Sequence, residues 1–370
     1  MSTDIAVHLP DLSGGGAERM VVNLTGEFAA RGYDVDLVLS KTSGPYMTDV
    51  SQDVNIVDLD APTLPGYAAL GSLPALGSYL RRHRPTALLA VLTRVNVVSL
   101  LTRRLVRSDT NVVVSERNHL SSVLDQYGRV GKRVLPSLVR RTYPWADGIV
   151  PISHGVADDL STISGIPTSE MTVIHNPAYS KGISEKATER VSHPWFQSDE
   201  PPVILGVGSL TPQKDFPTLV RAFNRLRSQQ DARLVILGEG DRREELESLI
   251  QRYGIGDSVD LPGFVDNPFK YMKQADVFVL SSRWEGFGNV IVEAMACGTP
   301  IVSTNCPSGP AEILQNGKYG QLVRTGDPEA LAAAVQATLA EPPAPDPLIE
   351  RAKEFSVERV ADKYLATLLP

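Results

Sequence analysis

What most constrains this chain is the alternation of short, wholly apolar runs with stretches of helical periodicity. In the first half, residues 5–9, 35–39, 55–59, 87–92, 112–115, 149–152 and 172–174 are rich in Val, Ile and Leu. In the second half, residues 203–207, 234–237, 259–261, 277–280, 301–303 and 321–323 repeat the pattern. Runs that are apolar throughout fit parallel strands covered on both faces. Residues 17–30, 76–83, 95–107 and 155–163 separate the first set, and 216–229, 242–253, 289–296 and 328–339 the second, as helices. Strand–helix repetition means right-handed βαβ units, whose ligands lie beyond the strand C-termini.

A polar segment from Tyr179 to about Pro202 carries Pro, Ser and charged residues and is expected to divide the chain. The expected organisation is residues 1–195, a Rossmann-like domain, and residues 196–355, a second one facing it across a cleft. A weakly amphipathic stretch, 356–370, closes the chain. With 42% hydrophobic and 21% charged residues, the composition excludes wholesale disorder. Two cysteines, Cys297 and Cys306, exclude a disulfide scaffold. No uninterrupted apolar run is longer than the six residues of 87–92, far short of the ~18 residues of a membrane span. The N-terminus shows no basic stretch followed by an apolar one, so a cytoplasmic protein is expected.

Charge is unevenly placed. Residues 81–141 hold 13 Lys/Arg and 3 Asp/Glu, net +10, whereas residues 196–370 are net −7. A solvated face balanced elsewhere, an anionic membrane face and a phosphorylated ligand all fit this band. Sparse aromatics (Tyr127, then Tyr143 and Trp145) argue against nucleic acid, which would be stacked. The segment 129–141 mixes basic and apolar residues as surface-binding helices do, with Pro136 expected to interrupt it.

Four constellations carry chemistry. Ser13-Gly14-Gly15-Gly16-Ala17-Glu18-Arg19 follows a strand and opens a helix, either as a plain tight turn or as an anion cradle. Gly206-Val207-Gly208-Ser209 ends a strand, and Lys214, six residues past Gly208, is placed either to reach a diphosphate or simply to be solvated. Glu285-Gly286-Phe287-Gly288-Asn289-Val290-Ile291-Val292-Glu293 sets two carboxylates eight residues apart, the first in a loop and the second on the helix it opens. Carboxylates accept from hydroxyls, and a helix start favours a phosphate. Cys306-Pro307-Ser308-Gly309-Pro310-Ala311-Glu312 again joins a strand to a helix, and Glu312 there complements the helix dipole. Asp34 and Asp36 have a metal-ligand spacing, but an exposed strand edge explains them better.

In order along the chain, GGGAERM, SERNH, PISHGV, VIHNP, VGSLTPQKDFPTLVRAF, GFVDNP and SSRWEGFGNVIVEAMACGTPIVSTNCPSGPAEIL resemble the family 4 retaining glycosyltransferases. The resemblance runs from about residue 5 to about residue 340. It implies the type-B architecture, two Rossmann-like domains with a nucleotide-sugar in the cleft, and a last helix that returns to the first domain. It implies that Glu285 contacts the donor sugar and Glu293 the ribose, that Lys214 neutralises the diphosphate, and that Gly263 and Phe264 meet the base. Gly286, Phe287, Gly288, Asn289 and Val290 would hold the phosphate, with Gly208 beside it and Gly15 and Gly16 near the β-phosphate and acceptor. The chain departs from the family at Ser209, where an arginine is usual, and at 115–119, where Arg117 or His119 replaces the usual histidine near the reacting centre.

The implied reaction is transfer of a sugar from a nucleotide-diphospho-sugar, a UDP-hexose or UDP-N-acetylhexosamine, to a glycan or lipid-linked acceptor. No metal or other cofactor is expected. An enzyme working peripherally at the inner membrane face is compatible with the basic band. A nucleotide-sugar epimerase on the same fold, or a non-enzymatic nucleotide- or anion-binding module, are the alternatives.

Overall fold

The computed structural model describes residues 3–13, 15–62, 71–124, 128–197 and 200–369. Gly14 of the first glycine run and Tyr127 of the basic band lie outside the described residues. The chain forms two compact units, the first being residues up to Pro177 together with Val357–Pro370, the second Ala178–Ser356.

The first unit contains β1 (Ile5–Leu9), α1 (Gly16–Ala30), β2 (Val35–Leu39), β3 (Val54–Asp58), α2 (Leu73–His83), β4 (Ala87–Val91) and α3 (Thr93–Val106). It continues with β5 (Asn111–Glu116), α4 (Leu120–Val123), α5 (Gly128–Thr142), β6 (Gly148–Pro151) and α6 (His154–Ser164). Its six strands are parallel, in the order β3-β2-β1-β4-β5-β6. The segment 172–174, expected as a strand, runs beside β6 on two backbone bonds, Thr172 N–H to Ile149 O and Ile174 N–H to Pro151 O. It is too short to make a seventh strand.

The second unit contains α7 (Gly182–Ala187), β7 (Val203–Val207), α8 (Phe216–Arg227), β8 (Arg233–Leu237), α9 (Arg243–Tyr253), β9 (Val259–Gly263), α10 (Phe269–Gln274) and β10 (Val277–Leu280). There follow α11 (Asn289–Ala296), β11 (Ile301–Thr304), α12 (Pro310–Ile313), β12 (Gln321–Val323), α13 (Pro328–Ala340) and α14 (Pro345–Lys353). The strand order is β12-β11-β10-β7-β8-β9, again all parallel. Counted within each unit, the two sheets share one wiring. Apolar strand residues pack against apolar helix faces: Leu219, Val220 and Phe223 of α8 lie with Leu234 and Ile236 of β8 in one buried cluster.

Three expectations are corrected. The boundary falls at Pro177/Ala178, not at 195. Residues 178–197 fold with the second unit because Ile183 and Val191 are buried and His193 Nε2 lies 2.8 Å from Asp260 Oδ2. α5 continues through Pro136; the helix bond that proline cannot donate would end on the Lys132 carbonyl, on the exposed stretch Lys132–Arg133, where losing one helix bond costs least. Asp36 is not on an exposed edge. β2 lies between β1 and β3, and the buried Asp36 carboxylate accepts from Thr3 Oγ1 (2.8 Å), Asn55 Nδ2 (2.7 Å) and Tyr79 OH (2.5 Å).

The last helix, α15 (Val357–Leu368), belongs to the first unit. Its Val360, Ala361, Tyr364 and Leu368 are buried in the same cluster as Met20, Leu24 and Phe28 of α1. Arg31 bonds both Asp362 Oδ1 (2.5 Å) and the Glu358 carbonyl (2.8 Å).

Candidate functional site

In the second unit the glycine-rich turns at the strand ends are stacked on one another. Gly208 N–H donates to Leu237 O, Leu210 N–H to Glu239 O and Gly238 N–H to Gly263 O. Gly238 has a φ of 142°, and a Cβ there would stand 2.0 Å from Gly208 O, so only glycine lets these turns touch. The Gly238-Glu239-Gly240 turn was not singled out in the sequence, although two glycines straight after a strand are a usable signal. Ser209 is exposed, one residue past Gly208. Gly263 ends β9 and is followed by Phe264, whose ring is 74% exposed, an uncommon placement for a large apolar side chain.

Lys214 and Glu285, 71 residues apart, meet: Lys214 Nζ donates to Glu285 Oε1 at 2.7 Å. Glu285 sits in the loop between β10 and α11, only 6% exposed. Ser282 Oγ donates to the same oxygen at 2.6 Å, and Glu285 N–H donates to Pro307 O at 3.2 Å. Gln213 Nε2 donates to Trp284 O at 3.0 Å and lies 3.4 Å from Glu285 Oε2. Ser281 Oγ donates to Lys214 O, and the Arg283 guanidinium pairs with Asp215 at 3.1 Å. The loops 209–215 and 281–287 are thereby stitched side chain to backbone. Gln213 and Ser282 are partners that sequence reasoning missed.

The loop 305–309 buttresses this pair from the other side. Gly309 has a φ of 90°, and a Cβ on it would be 1.7 Å from Phe287 O. The Cys306 segment thus supports the Glu285 loop. Cys306 itself is buried, and burial together with the nearby Glu285 charge pushes its thiol up to about 12. Phe287 is buried and meets Phe355 edge-on. Gly288, at φ 99°, caps α11, so Asn289 and Val290 form the first helical turn at the positive end of the dipole. Glu293, in the same helix, is half-buried, and Gly286 is half-buried in the loop. A lysine–carboxylate pair of this kind can yield its cation to a phosphate and leave a carboxylate that accepts from hydroxyls.

In the first unit the corresponding strand ends hold different chemistry. Gly15, in extended conformation, is the N-cap of α1, and Gly16 is its first residue. Arg117 follows β5 and is 5% exposed, yet its Nε and Nη1 find no hydrogen-bond partner among the described residues. Burial lowers its affinity for the proton, while Tyr364 of α15, Glu18 and Glu116 pull the other way. Glu18 stands in the first turn of α1, so Arg117 lies within electrostatic reach of that helix start. Glu116, fully buried, accepts from Thr93 Oγ1 (2.8 Å), Tyr143 OH (2.7 Å) and Arg117 N–H (3.2 Å), and burial raises its pKa above the carboxylate range. His119 caps α4, with Nδ1 2.9 Å from Ser122 Oγ and 3.7 Å from Asp159.

Two family models match the chain: glycosyl transferase 4-like domain over residues 15–177 and glycosyl transferases group 1 over residues 188–355. The chain belongs to the group 1 glycosyltransferases, and its fold is the type-B one of that class. It is 29% identical over 99% of both chains to an N-acetylgalactosamine-N,N'-diacetylbacillosaminyl-diphospho-undecaprenol 4-alpha-N-acetylgalactosaminyltransferase of Campylobacter jejuni subsp. jejuni serotype O:2. It is 36% identical to the lipopolysaccharide core biosynthesis glycosyltransferase LpsE of Rhizobium meliloti, over 45% of this chain and 49% of that one. Among solved structures, Anabaena Alr3699/HepE in complex with UDP-glucose superposes with a TM-score of 0.79 at 18% identity, covering 99% of this chain and 100% of that one. The protein is a glycosyltransferase.

Proposed function

We propose that the enzyme transfers a hexose or N-acetylhexosamine from a UDP-sugar to a lipid-linked or glycan acceptor, with retention at the anomeric carbon and without a divalent metal. The observation that carries this is the Lys214–Glu285 pair at 2.7 Å, held in a loop that opens directly into the α11 N-terminus. On donor binding, Lys214 turns to the diphosphate, and charge growing on that leaving group is met by Lys214 and the helix start. Glu285 then accepts from sugar hydroxyls, Glu293 from the ribose, and Phe264 offers its exposed ring to the base. The preference for UDP is supported by the UDP-glucose bound to the Anabaena neighbour, and the lipid-linked acceptor by the undecaprenol-linked substrate named for the Campylobacter relative. In the first unit, Arg117, His119 and the α1 start form the acceptor side.

A membrane-facing role for the first unit is supported by where the basic band lands. α2, α3 and α5 pack side by side, α2 on α3 and α3 on α5, and carry most of it. Leu105, Val130 and Val134 on α3 and α5 are three of the five exposed large hydrophobic side chains among the described residues. No described helix is long and apolar enough to cross a membrane. Exposed apolar residues among cations fit an anionic bilayer surface, and vesicle co-sedimentation should rise with anionic lipid and fall with salt.

The donor assignment is tested by titrating UDP into Glu293→Ala. Loss of the ribose acceptor should weaken binding by about 1.5–3 kcal/mol. Unchanged UDP affinity in a folded variant would remove Glu293 from the site.

A further inference from the structure

The first unit has a second cationic feature at the opposite end of the strands from Arg117 and the α1 start. A cavity of about 630 Å³ opens at the N-terminal ends of β4 and β5, lined among others by Arg81, Arg84, Arg107, Asp109 and Thr110. That volume lies within the ~300–1,000 Å³ of small-molecule pockets. None of the three guanidinium groups makes a hydrogen bond or ion pair among the described residues, and three arginines against Asp109 leave the lining net +2.

Backbone geometry adds an independent observation. α2 ends on Arg84 and α3 on Arg107, both left-handed, at φ 45° and 53°. Glycine fills that position at least cost, because a Cβ strains it. Complementing the helix dipoles does not explain the choice. The last turns already hold Arg81 and Arg82 in α2, and Arg103 and Arg104 in α3. Another arginine in each strained position adds repulsion between like charges and gains no visible partner. The three arginines are exposed at the cavity mouth, and backbone strain kept beside a cavity that such cations can reach is the pattern of a ligand site.

We propose that this cavity is a second, non-catalytic anion site that takes a phosphate-bearing ligand between Arg81, Arg84 and Arg107. The ligand is either a lipid headgroup or a soluble polyphosphate. The site stands apart from the transfer reaction, and its failure would leave the donor assignment untouched.

The test uses inorganic pyrophosphate, with thermal melting and calorimetry, in the Lys214→Ala background so that the donor diphosphate site is silenced. Pyrophosphate should raise the melting temperature beyond sodium chloride at equal ionic strength. The double variant Arg84→Gly/Arg107→Gly, in that background, should melt at or above its parent without ligand, because strain is relieved. It should also bind pyrophosphate about tenfold or more weakly, as two of three cations are gone. Vesicles of phosphatidic acid in phosphatidylcholine separate the sources. Pelleting that the double variant loses and pyrophosphate competes away identifies a headgroup. A response to soluble pyrophosphate alone identifies a free polyphosphate. The proposal is overturned if the double variant keeps the pyrophosphate affinity, if sodium chloride matches the pyrophosphate effect, or if the variant melts lower because the arginines are structural caps.

Discussion

The two units share one strand order and differ in how they keep their charges. In the second, the ionic groups in the loops after β7 and β10 are matched: Lys214 with Glu285 and Arg283 with Asp215. In the first, His8 and Glu116 lie within the sheet itself, and the buried Arg117 leaves two of its nitrogens without hydrogen-bond partners among the described residues. A matched pair is stable at rest and can be exchanged for a ligand's phosphate. An unmatched buried cation destabilises the chain until an anion arrives. On this account the donor side is pre-assembled, and the acceptor side keeps a buried cation, within reach of Glu18, Glu116 and Tyr364, with two donor nitrogens open to an anion.

The contrast can be broken most forcefully at Lys214. Lys214→Ala should lower turnover by about 10²–10³-fold, the scale of losing one preorganised charge at a leaving group. It should also lower stability, since Glu285 would stay buried without its cation. A variant that melts normally and turns over at the native rate would contradict the pairing.

Next comes the pH response of the first sheet. Burial pulls His8 from 6.5 down to about 3, so the folded state keeps it neutral. As pH falls below about 6.5, the unfolded chain takes up that proton first, and stability is lost progressively until the folded value is reached. Denaturation at pH 7.5 and 4.5 should differ by about 2–3 kcal/mol through this residue. His8→Leu should remove that share of the slope whatever it does to stability at pH 7.5, and an unchanged slope would refute the assignment.

Arg117→Met sharpens the comparison directly. Replacing a buried, unsatisfied cation by an apolar chain of similar length should stabilise the fold by about 1–3 kcal/mol while activity falls. The Lys214 variant should move stability and activity in the same direction. If Arg117→Met melts lower, its guanidinium is satisfied in solution and the contrast fails.

The smallest effect is expected at Ser209. Its exposed place one residue past Gly208 leaves room for a side chain. Ser209→Arg should tighten donor binding by about 1 kcal/mol through an added cation near the diphosphate. Donor titration with no change would place position 209 away from the phosphates.

Legibility in the sequence followed burial. The runs 5–9, 35–39, 203–207 and 277–280 end where the strands end, because strands covered on both faces are apolar along their whole length. Where polar residues are buried, the sequence misled. Asp36 looked like an edge residue because no composition rule foresees a carboxylate with three donors from three separate segments. The segment after residue 177 looked like a linker, yet Ile183, Val191 and the His193–Asp260 contact fold it against the second unit. At the site, the spacing of Glu285 and Glu293 and the place of Lys214 were legible from local pattern. The partner Gln213 was not, since only the fold brings it across 72 residues of sequence to Glu285, and nothing in local pattern marks Ser282, three residues before Glu285, as a donor to it. The two open nitrogens of Arg117 were likewise invisible, being a property of its folded surroundings.

Retaining transfer from a UDP-sugar is put to the proof by following one reaction by NMR. A panel of UDP-α-sugars is incubated with the enzyme and a polyprenyl-diphosphate-linked glycan, and both UDP and the new anomeric linkage are read. The expected result is UDP released only when acceptor is present, with an α-linkage formed, and both signals lost in Lys214→Ala and Glu285→Ala. A β-linked product, or native turnover in either variant, would contradict the account.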